Sequence, residues 1–191
     1  VWGNVGGDMN LKYQVGIFDG DVSDDQMIAG RLVLNLWDDE PGYYNASTYY
    51  GEKQILAIGV SYQDGAGSGG NVSIVDGAGA FVGRPEDSFG IDLLVEKTLD
   101  VGTVTLDAAY TDLDLANDDP ISVFVGLLLT NDVAIGPISG KPRPYVRLVK
   151  DGVFGDEFSI GIQHVIDGHK ASITLEYSDF DDVAGEEVSR F

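Results

Sequence analysis

Eight charged residues occupy positions where an alternating pattern predicts the polar side of a β-strand. They are Lys12, Arg31, Lys53, Asp92, Glu96, Asp107, Arg147 and Glu176. Four are basic and four are acidic, so the chemistry they could perform is electrostatic. Side chains of mixed sign set up a field across a passage, whereas a ring of one sign selects counter-ions. The same charges would also hydrate an ordinary polar surface, and the sequence leaves both roles open.

Arg31 and Arg147 are the strongest of these candidates, because apolar residues flank each of them on both sides within a predicted strand. An arginine that faces lipid near the middle of a bilayer costs roughly 2–4 kcal/mol. If these strands cross a membrane, both side chains are therefore expected to face a lumen.

The strands that position these charges follow from alternation. Residues 171–178 alternate apolar and polar side chains, and successive side chains of a strand point to opposite faces. Asp167-Gly168, just before them, is a strong hairpin signal. Nine strands are predicted in this way, at 11–18, 27–37, 54–62, 88–96, 102–111, 121–129, 144–150, 157–166 and 170–180. No segment has a helical period with caps, so the sequence predicts an all-β, antiparallel, up-and-down fold.

Loop lengths and aromatic residues favour a transmembrane β-barrel. Short turns at Asp100 and Asp167-Gly168 fall on one end of the predicted strands, and the long loop at 64–87 falls on the other. Outer-membrane barrels show this asymmetry, with aromatic girdles at both membrane interfaces. The predicted girdle residues are Trp37, Tyr43, Tyr44, Tyr49, Tyr50, Tyr62, Tyr110 and Tyr177. A half-exposed soluble sheet also alternates, so this pattern alone does not decide between the two.

Composition excludes several classes of function. A formal charge of −21 argues against binding to a nucleic-acid backbone, which needs a basic surface. The absence of cysteine excludes disulfides, thiol catalysis and cysteine-ligated metals. No apolar run approaches the roughly 18 residues of a membrane helix. The chain does not open with a signal peptide, so if the protein is exported, a mature form or a fragment is expected.

Other motifs are better explained as loops than as sites. Gly65, Gly67 and Gly70 form a GxGxxG pattern, but no helical pattern follows it. The acidic loops at 19–25 and 112–119 lack a calcium-loop pattern, although divalent ions could bridge them to lipid headgroups. His164 and His169 have no evident third ligand. We therefore expect no metal, no cofactor and no enzyme activity.

Five segments together resemble a known family. They are NLKYQVGIFDG at 10–20, RLVLNLWDDEPGYY at 31–44, TYYGEKQILAIGVSYQ at 48–63, GPISGKPRPYVR at 136–147 and VIDGHKASITLEYS at 165–178. They look like the phosphate-selective O/P porins of Gram-negative outer membranes. The resemblance implies a barrel of about sixteen strands, a homotrimer, and passive diffusion of small ions and solutes. It also implies a bacterial outer-membrane location, in contact with lipid and lipopolysaccharide.

The chain departs from that family in length and in charge. Nine strands cannot close such a barrel, and Glu187 and Ser189 are poor matches to a terminal strand. Residues 1–191 are therefore expected to form one barrel segment that lacks the N-terminal strands and the final strand. Only 11 basic residues stand against 32 acidic ones, whereas the phosphate-selective members line their pore with basic residues. We accordingly predict weak cation selectivity or none, and no strong phosphate preference.

A different class of protein remains possible from the sequence. An acidic β-sandwich, soluble or attached to a surface, could act as a binding or structural module. Its apolar faces would pack against each other, whereas those of a barrel would meet lipid. A porin-like barrel could also serve as a scaffold for another envelope complex.

Overall fold

The computed structural model describes residues 1–5, 10–19, 26–40, 46–64, 74–75, 81–83, 87–113, 119–150, 155–181 and 187–190. These residues form strands, turns and bends, and the strand pairs are antiparallel throughout, as the sequence predicts. No helix in these ranges is long and apolar enough to cross a membrane.

Fourteen strands lie in the described ranges. They are β1 (Trp2–Val5), β2 (Asn10–Asp19), β3 (Gln26–Asn35), β4 (Ile55–Asp64), β5 (Ile74–Val75), β6 (Phe81–Gly83), β7 (Asp87–Leu99), β8 (Gly102–Leu113), β9 (Ile121–Leu129), β10 (Val133–Ile135), β11 (Ile138–Lys150), β12 (Asp156–Asp167), β13 (Ala171–Asp181) and β14 (Glu187–Arg190).

One large up-and-down sheet contains most of these strands. Its order is β1-β2-β3-β4-β7-β8-β9-β11-β12-β13-β14, while β10 pairs only with β11 and β5 pairs with β6 in a separate hairpin. Within the described residues β1 and β14 do not pair with each other, so these strands do not close into a barrel. The eleven strands of this order exceed the nine predicted, because β1 and β14 lie outside the nine predicted ranges.

Strand β11 begins six residues earlier than predicted, and its prolines explain both the prediction and the structure. Pro142 and Pro144 lie opposite His164 and Ile162 of β12. A proline cannot donate to a ladder and is normally confined to strand edges. The ladder between β11 and β9 begins only at Tyr145. The prolines therefore lie where β11 is paired on the β12 side alone.

The alternating pattern becomes two contrasting faces of the sheet. We call the side that carries Arg31, Asp92 and Arg147 the polar face, and the side that carries Leu32 and Ile160 the apolar face. The polar face includes a small buried cluster, formed by Val33, Ile55, Ala57 and Leu94 with Tyr49 against it. Tyr49 belongs to residues 46–54, which directly precede β4 and which we call the connector.

Candidate functional site

The strand register places seven of the eight predicted charges on the polar face. They are Lys12, Arg31, Asp92, Glu96, Asp107, Arg147 and Glu176. The eighth, Lys53, lies in the connector, where its Nζ donates to the backbone oxygen of Asp39 at 2.7 Å. Whether these side chains line a pore stays a prediction, but the shared face that it requires is present.

The first charged cluster is an ion pair that crosses over a strand. Arg31 of β3 donates to Asp92 of β7 through two parallel bonds of 2.6 Å, which is the strong bidentate geometry. Gly59 of β4 lies opposite Asp92 in the register and diagonal to Arg31, which lies opposite Ser61. A Cβ atom at Gly59 would overlap Asp92 Oδ2 and would lie 2.6 Å from Arg31 Nη2. Because Gly59 has no side chain, Arg31 of β3 can reach Asp92 of β7 over the strand between them.

The second charged cluster repeats this arrangement at the other end of the sheet. Tyr145 of β11 donates its hydroxyl to Glu176 of β13 at 2.5 Å, and Gly161 of β12 lies between them. Arg147 donates to Glu157 at 2.5 Å and lies 4.0 Å from Glu176. One arginine therefore faces two carboxylates, so the second cluster is richer in negative charge than the first.

The connector is attached to the polar face through Glu96, which is 0% exposed. Glu96 Oε2 accepts hydrogen bonds from Thr48 Oγ1 at 2.6 Å, the Tyr49 amide at 2.9 Å and Thr105 Oγ1 at 3.1 Å. Its Oε1 accepts one from the Gly51 amide at 2.7 Å. Burial of a carboxylate is costly unless it is hydrogen-bonded, and these four donors meet that requirement.

The connector tyrosines contact polar-face residues rather than the apolar face. Tyr49 donates its hydroxyl to Glu40 at 3.1 Å, and burial raises the pKa of the Glu40 carboxyl above its ordinary value. The ring of Tyr50 packs edge-on against His169 at 4.8 Å and lies 5.3 Å from the Arg143 guanidinium. Both tyrosines are predicted girdle residues, and their contact with a membrane stays a prediction. The contacts of the connector place both side chains on the polar face.

The remaining girdle candidates are placed differently. Tyr62 pairs with Phe89, and the register puts Tyr110 and Tyr177 on the same apolar face, where a girdle would need them. Trp37 follows the end of β3 and contacts Lys97 at 5.2 Å. Tyr43 and Tyr44 lie outside the described residues. Membrane contact of these aromatic residues stays a prediction.

A cavity of about 500 Å³ opens on the polar face between the connector and the second cluster. Tyr50, Asp107, Arg143, Tyr145 and Glu176 are among its lining residues. Arg143 is only 5% exposed, and its Nε and Nη2 atoms have no hydrogen-bond partner among the described residues. The guanidinium instead lies 4.8 Å from the Phe124 ring.

Arg143 is the residue that sequence analysis missed. It lies in the stretch KPRPYVR, which the glycines and prolines nearby mark as a link. The signal that could have found it is the alternation of Lys141, Arg143, Tyr145 and Arg147. This alternation extends the polar side of the predicted strand toward the N-terminus, past Pro144 and Pro142.

The other sequence motifs form no binding site among the described residues. The GxGxxG glycines and most of the acidic-loop aspartates lie outside those ranges, while Asp119 accepts a 2.6 Å hydrogen bond from Tyr110. No group of three histidine or acidic side chains suited to a metal occurs within them. His169 contacts Tyr50, and His164 lies on β12 opposite Pro142.

Comparison of the chain with family models, curated proteins and solved structures gave no match. The likeness to porins therefore rests on the five sequence segments and on their distribution along the chain.

Proposed function

We propose that this chain forms part of the wall of an outer-membrane porin, a passive diffusion channel for small hydrophilic solutes and ions. The observation that carries the proposal is the placement of apolar and charged side chains on opposite sides of one sheet. Leu175 is 71% exposed and Ile160 is 49% exposed, whereas Lys12 is 1% exposed and Glu96 is fully buried. A membrane barrel has this distribution, with an apolar band outside and a polar interior.

The exposed apolar side chains favour lipid over a second protein layer as their partner. Fully burying one large aliphatic side chain is worth roughly 1.5–3 kcal/mol, so a broad uncovered apolar face is unfavourable in water. A β-sandwich would cover that face with a second sheet. The second sheet of the described residues consists of the short strands β5 and β6, which do not join the main sheet.

The polar face suits a lumen with charges of both signs. The first cluster contributes a balanced ion pair, and the second contributes one arginine against two carboxylates. Opposed charges across a passage create a transverse field rather than a filter of one sign. We propose weak cation selectivity on this basis. The resemblance to porins also implies a trimer in contact with lipopolysaccharide, and we include both in this proposal.

The proposal requires both edges of the sheet to be paired in the assembled channel. Unpaired backbone groups are not tolerated in the hydrocarbon region, so β1 and β14 cannot remain edges in lipid. Partner strands beyond these two would satisfy the requirement.

The test is the reversal potential of the purified protein in a planar bilayer under a KCl gradient, repeated with phosphate in place of chloride. We expect stepwise conductance and a potential that is near zero or favours cations. An anion-favouring potential with chloride current blocked by phosphate would overturn the selectivity proposal. A folded protein that stays soluble without detergent and conducts no current would instead support the β-sandwich.

A matched pair of variants locates the selectivity in the structure. Arg147→Gln and Lys170→Gln each remove one positive charge, but Lys170 lies exposed in the turn before β13. If the polar face is the lumen, the first variant shifts the reversal potential toward cations and the second leaves it near the wild-type value. Equal shifts would contradict the assignment of the lumen.

A further inference from the structure

The connector contacts widely separated parts of the polar face. At Glu96 and Thr105 it touches β7 and β8, and at Arg143 it reaches β11. These strands are neighbours in the order β7-β8-β9-β11, so three spacings of about 4.8 Å separate the first from the last, about 14 Å. The Arg143 guanidinium itself reaches β9, where it lies 4.8 Å from the Phe124 ring. The connector therefore covers β7 and β8, and its Tyr50 ring meets Arg143 beyond them.

The contacts of the connector fix its position at both ends. Three of the four donors to Glu96 belong to the connector, and hydrogen bonds to an ionised acceptor are roughly twice as strong as neutral ones. Thr48 Oγ1 also accepts a hydrogen bond from the Tyr50 amide at 3.2 Å. Tyr50 has a positive φ of 53°, which is uncommon for a residue other than glycine and turns its ring toward His169.

The residues beneath the connector are covered by it. Thr103 is buried, and its Oγ1 would lie 2.5 Å from a Cβ atom at Gly51. Thr105 is also buried and shares Glu96 with the connector. The cavity that Arg143 and Asp107 line begins beside this covered region, with Thr48 and Tyr50 among its walls.

We propose that residues 48–51 of the connector form a fixed bar across the channel, and that Glu96 is the positioning residue that holds it. The bar narrows the passage next to β8 and directs permeating solutes past the Arg143 cavity. This inference rests on the proposed channel function for its consequence. The position of the bar can be tested separately.

Chemical accessibility tests the position of the bar without any measurement of current. The chain has no cysteine, so Thr103→Cys introduces a single thiol under the bar. Its rate of reaction with a charged methanethiosulfonate reagent reports how often the bar uncovers it. We expect slow modification in this background, and faster modification when the bar is released.

Two pairs of variants release the bar or leave it in place. Glu96→Gln places an amide group against the connector donors, while Asp92→Asn removes the same charge from the same face of the same strand without touching the connector. Thr48→Val removes the hydroxyl that bonds to Glu96, and Thr48→Ser keeps it. Because the loss of one charge-assisted hydrogen bond favours opening by about tenfold or more, the first member of each pair should accelerate modification by that factor.

The outcomes separate this inference from the proposed function. Equal modification rates within both pairs would overturn the bar, whether or not the protein conducts. Faster modification in Glu96→Gln and Thr48→Val, together with higher single-channel conductance, supports both proposals. Faster modification in a folded protein that conducts no current would retain the connector geometry and overturn its role in a channel. Circular dichroism spectra that match the parent show that the variants are folded.

Discussion

The two charged clusters are both built over a glycine, but they differ in how completely their charges are paired. In each, a glycine in the middle strand lets side chains from the strands on either side meet, Gly59 beneath Arg31 and Asp92, and Gly161 beneath Tyr145 and Glu176. Arg31 uses both oxygens of Asp92. Glu176 instead divides its oxygens between Tyr145 and Ser178, with Arg147 at 4.0 Å.

This difference predicts a mainly structural role for the first cluster and, in the proposed channel, contact with solutes for the second. The first cluster pairs both Nη atoms of Arg31 with both oxygens of Asp92, although Arg31 Nε has no hydrogen-bond partner among the described residues. Its loss should therefore appear mainly in stability. The second cluster shares one guanidinium between two carboxylates beside the cavity. In the proposed channel, a permeating ion would meet groups there that are less completely paired. Substitutions that affect one cluster and spare the other test this distinction.

The largest expected effect is at Gly161. In Gly161→Ala the new methyl group would lie 2.6 Å from the Tyr145 hydroxyl and 2.9 Å from the Leu175 carbonyl oxygen, and the carbonyl cannot rotate away. We expect a loss of about 2–3 kcal/mol in the free energy of unfolding. Urea titration in detergent measures it, with Gly30→Ala as the control because its nearest atom is 3.8 Å away. Similar losses in the two variants would contradict the close-approach argument.

Gly59→Ala should be destabilising by a smaller amount. The atoms that it meets are the ends of the Arg31 and Asp92 side chains, which can separate. We expect a net loss of about 1 kcal/mol, because the broken ion pair is partly offset by the better strand propensity of alanine. The same titration on Gly59→Ala/Asp92→Ala should show strong non-additivity. Additive losses would mean that the glycine does not act through the ion pair.

Tyr145→Phe tests the second cluster alone. It removes the hydroxyl that donates to Glu176 and keeps the ring that stacks on Phe124 at 5.4 Å. A loss of about 1 kcal/mol is expected for one hydrogen bond to a charged acceptor that retains other partners. The reversal potential should also shift, because Glu176 becomes a freer carboxylate. Tyr62→Phe, on the apolar face, should change neither quantity measurably, and an equal effect there would remove the distinction between the faces.

The smallest expected effect is the pH dependence that comes from Glu40. Burial raises the pKa of Glu40 above its ordinary value of 4.5, so the folded state holds this proton more tightly than the unfolded state. This group therefore makes stability fall as the pH rises from 4.5 through the raised pKa. Glu40→Gln should flatten that part of the stability profile. An unchanged slope between pH 4.5 and 7 would show that Glu40 does not contribute to it.

Alternation predicted nine strands of the main sheet and the shared face of seven of the eight charges, because the period of two is a local property of the chain. Arg31, Asp92 and Arg147 could thus be placed on one face before any partner was known. Their pairing could not, since Arg31 and Asp92 are 61 residues apart and meet only through the register of the strand between them. Gly59 gives no local sign that it lies beneath an ion pair.

The connector was beyond prediction for a different physical reason. Its tyrosines are amphipathic, and their composition fits either an interfacial girdle or a packed interior segment. Glu96 determines that the connector packs on the polar face, because its buried carboxylate accepts hydrogen bonds from the amides of Tyr49 and Gly51. A carboxylate that recruits backbone donors from a loop more than 40 residues away in sequence has no signature in alternation.

The prolines of β11 have a consequence for the way the wall would come apart. The ladder between β9 and β11 stops at Gly126 and Tyr145, although β9 continues to Leu129. Beyond that point β9 and β11 have no ladder between them until β10 pairs with β11 at Gly140, while β9 stays paired with β8 through Leu129. Hydrogen exchange should therefore start at the backbone amides beside this gap and spread along the β9–β11 ladder toward Lys150.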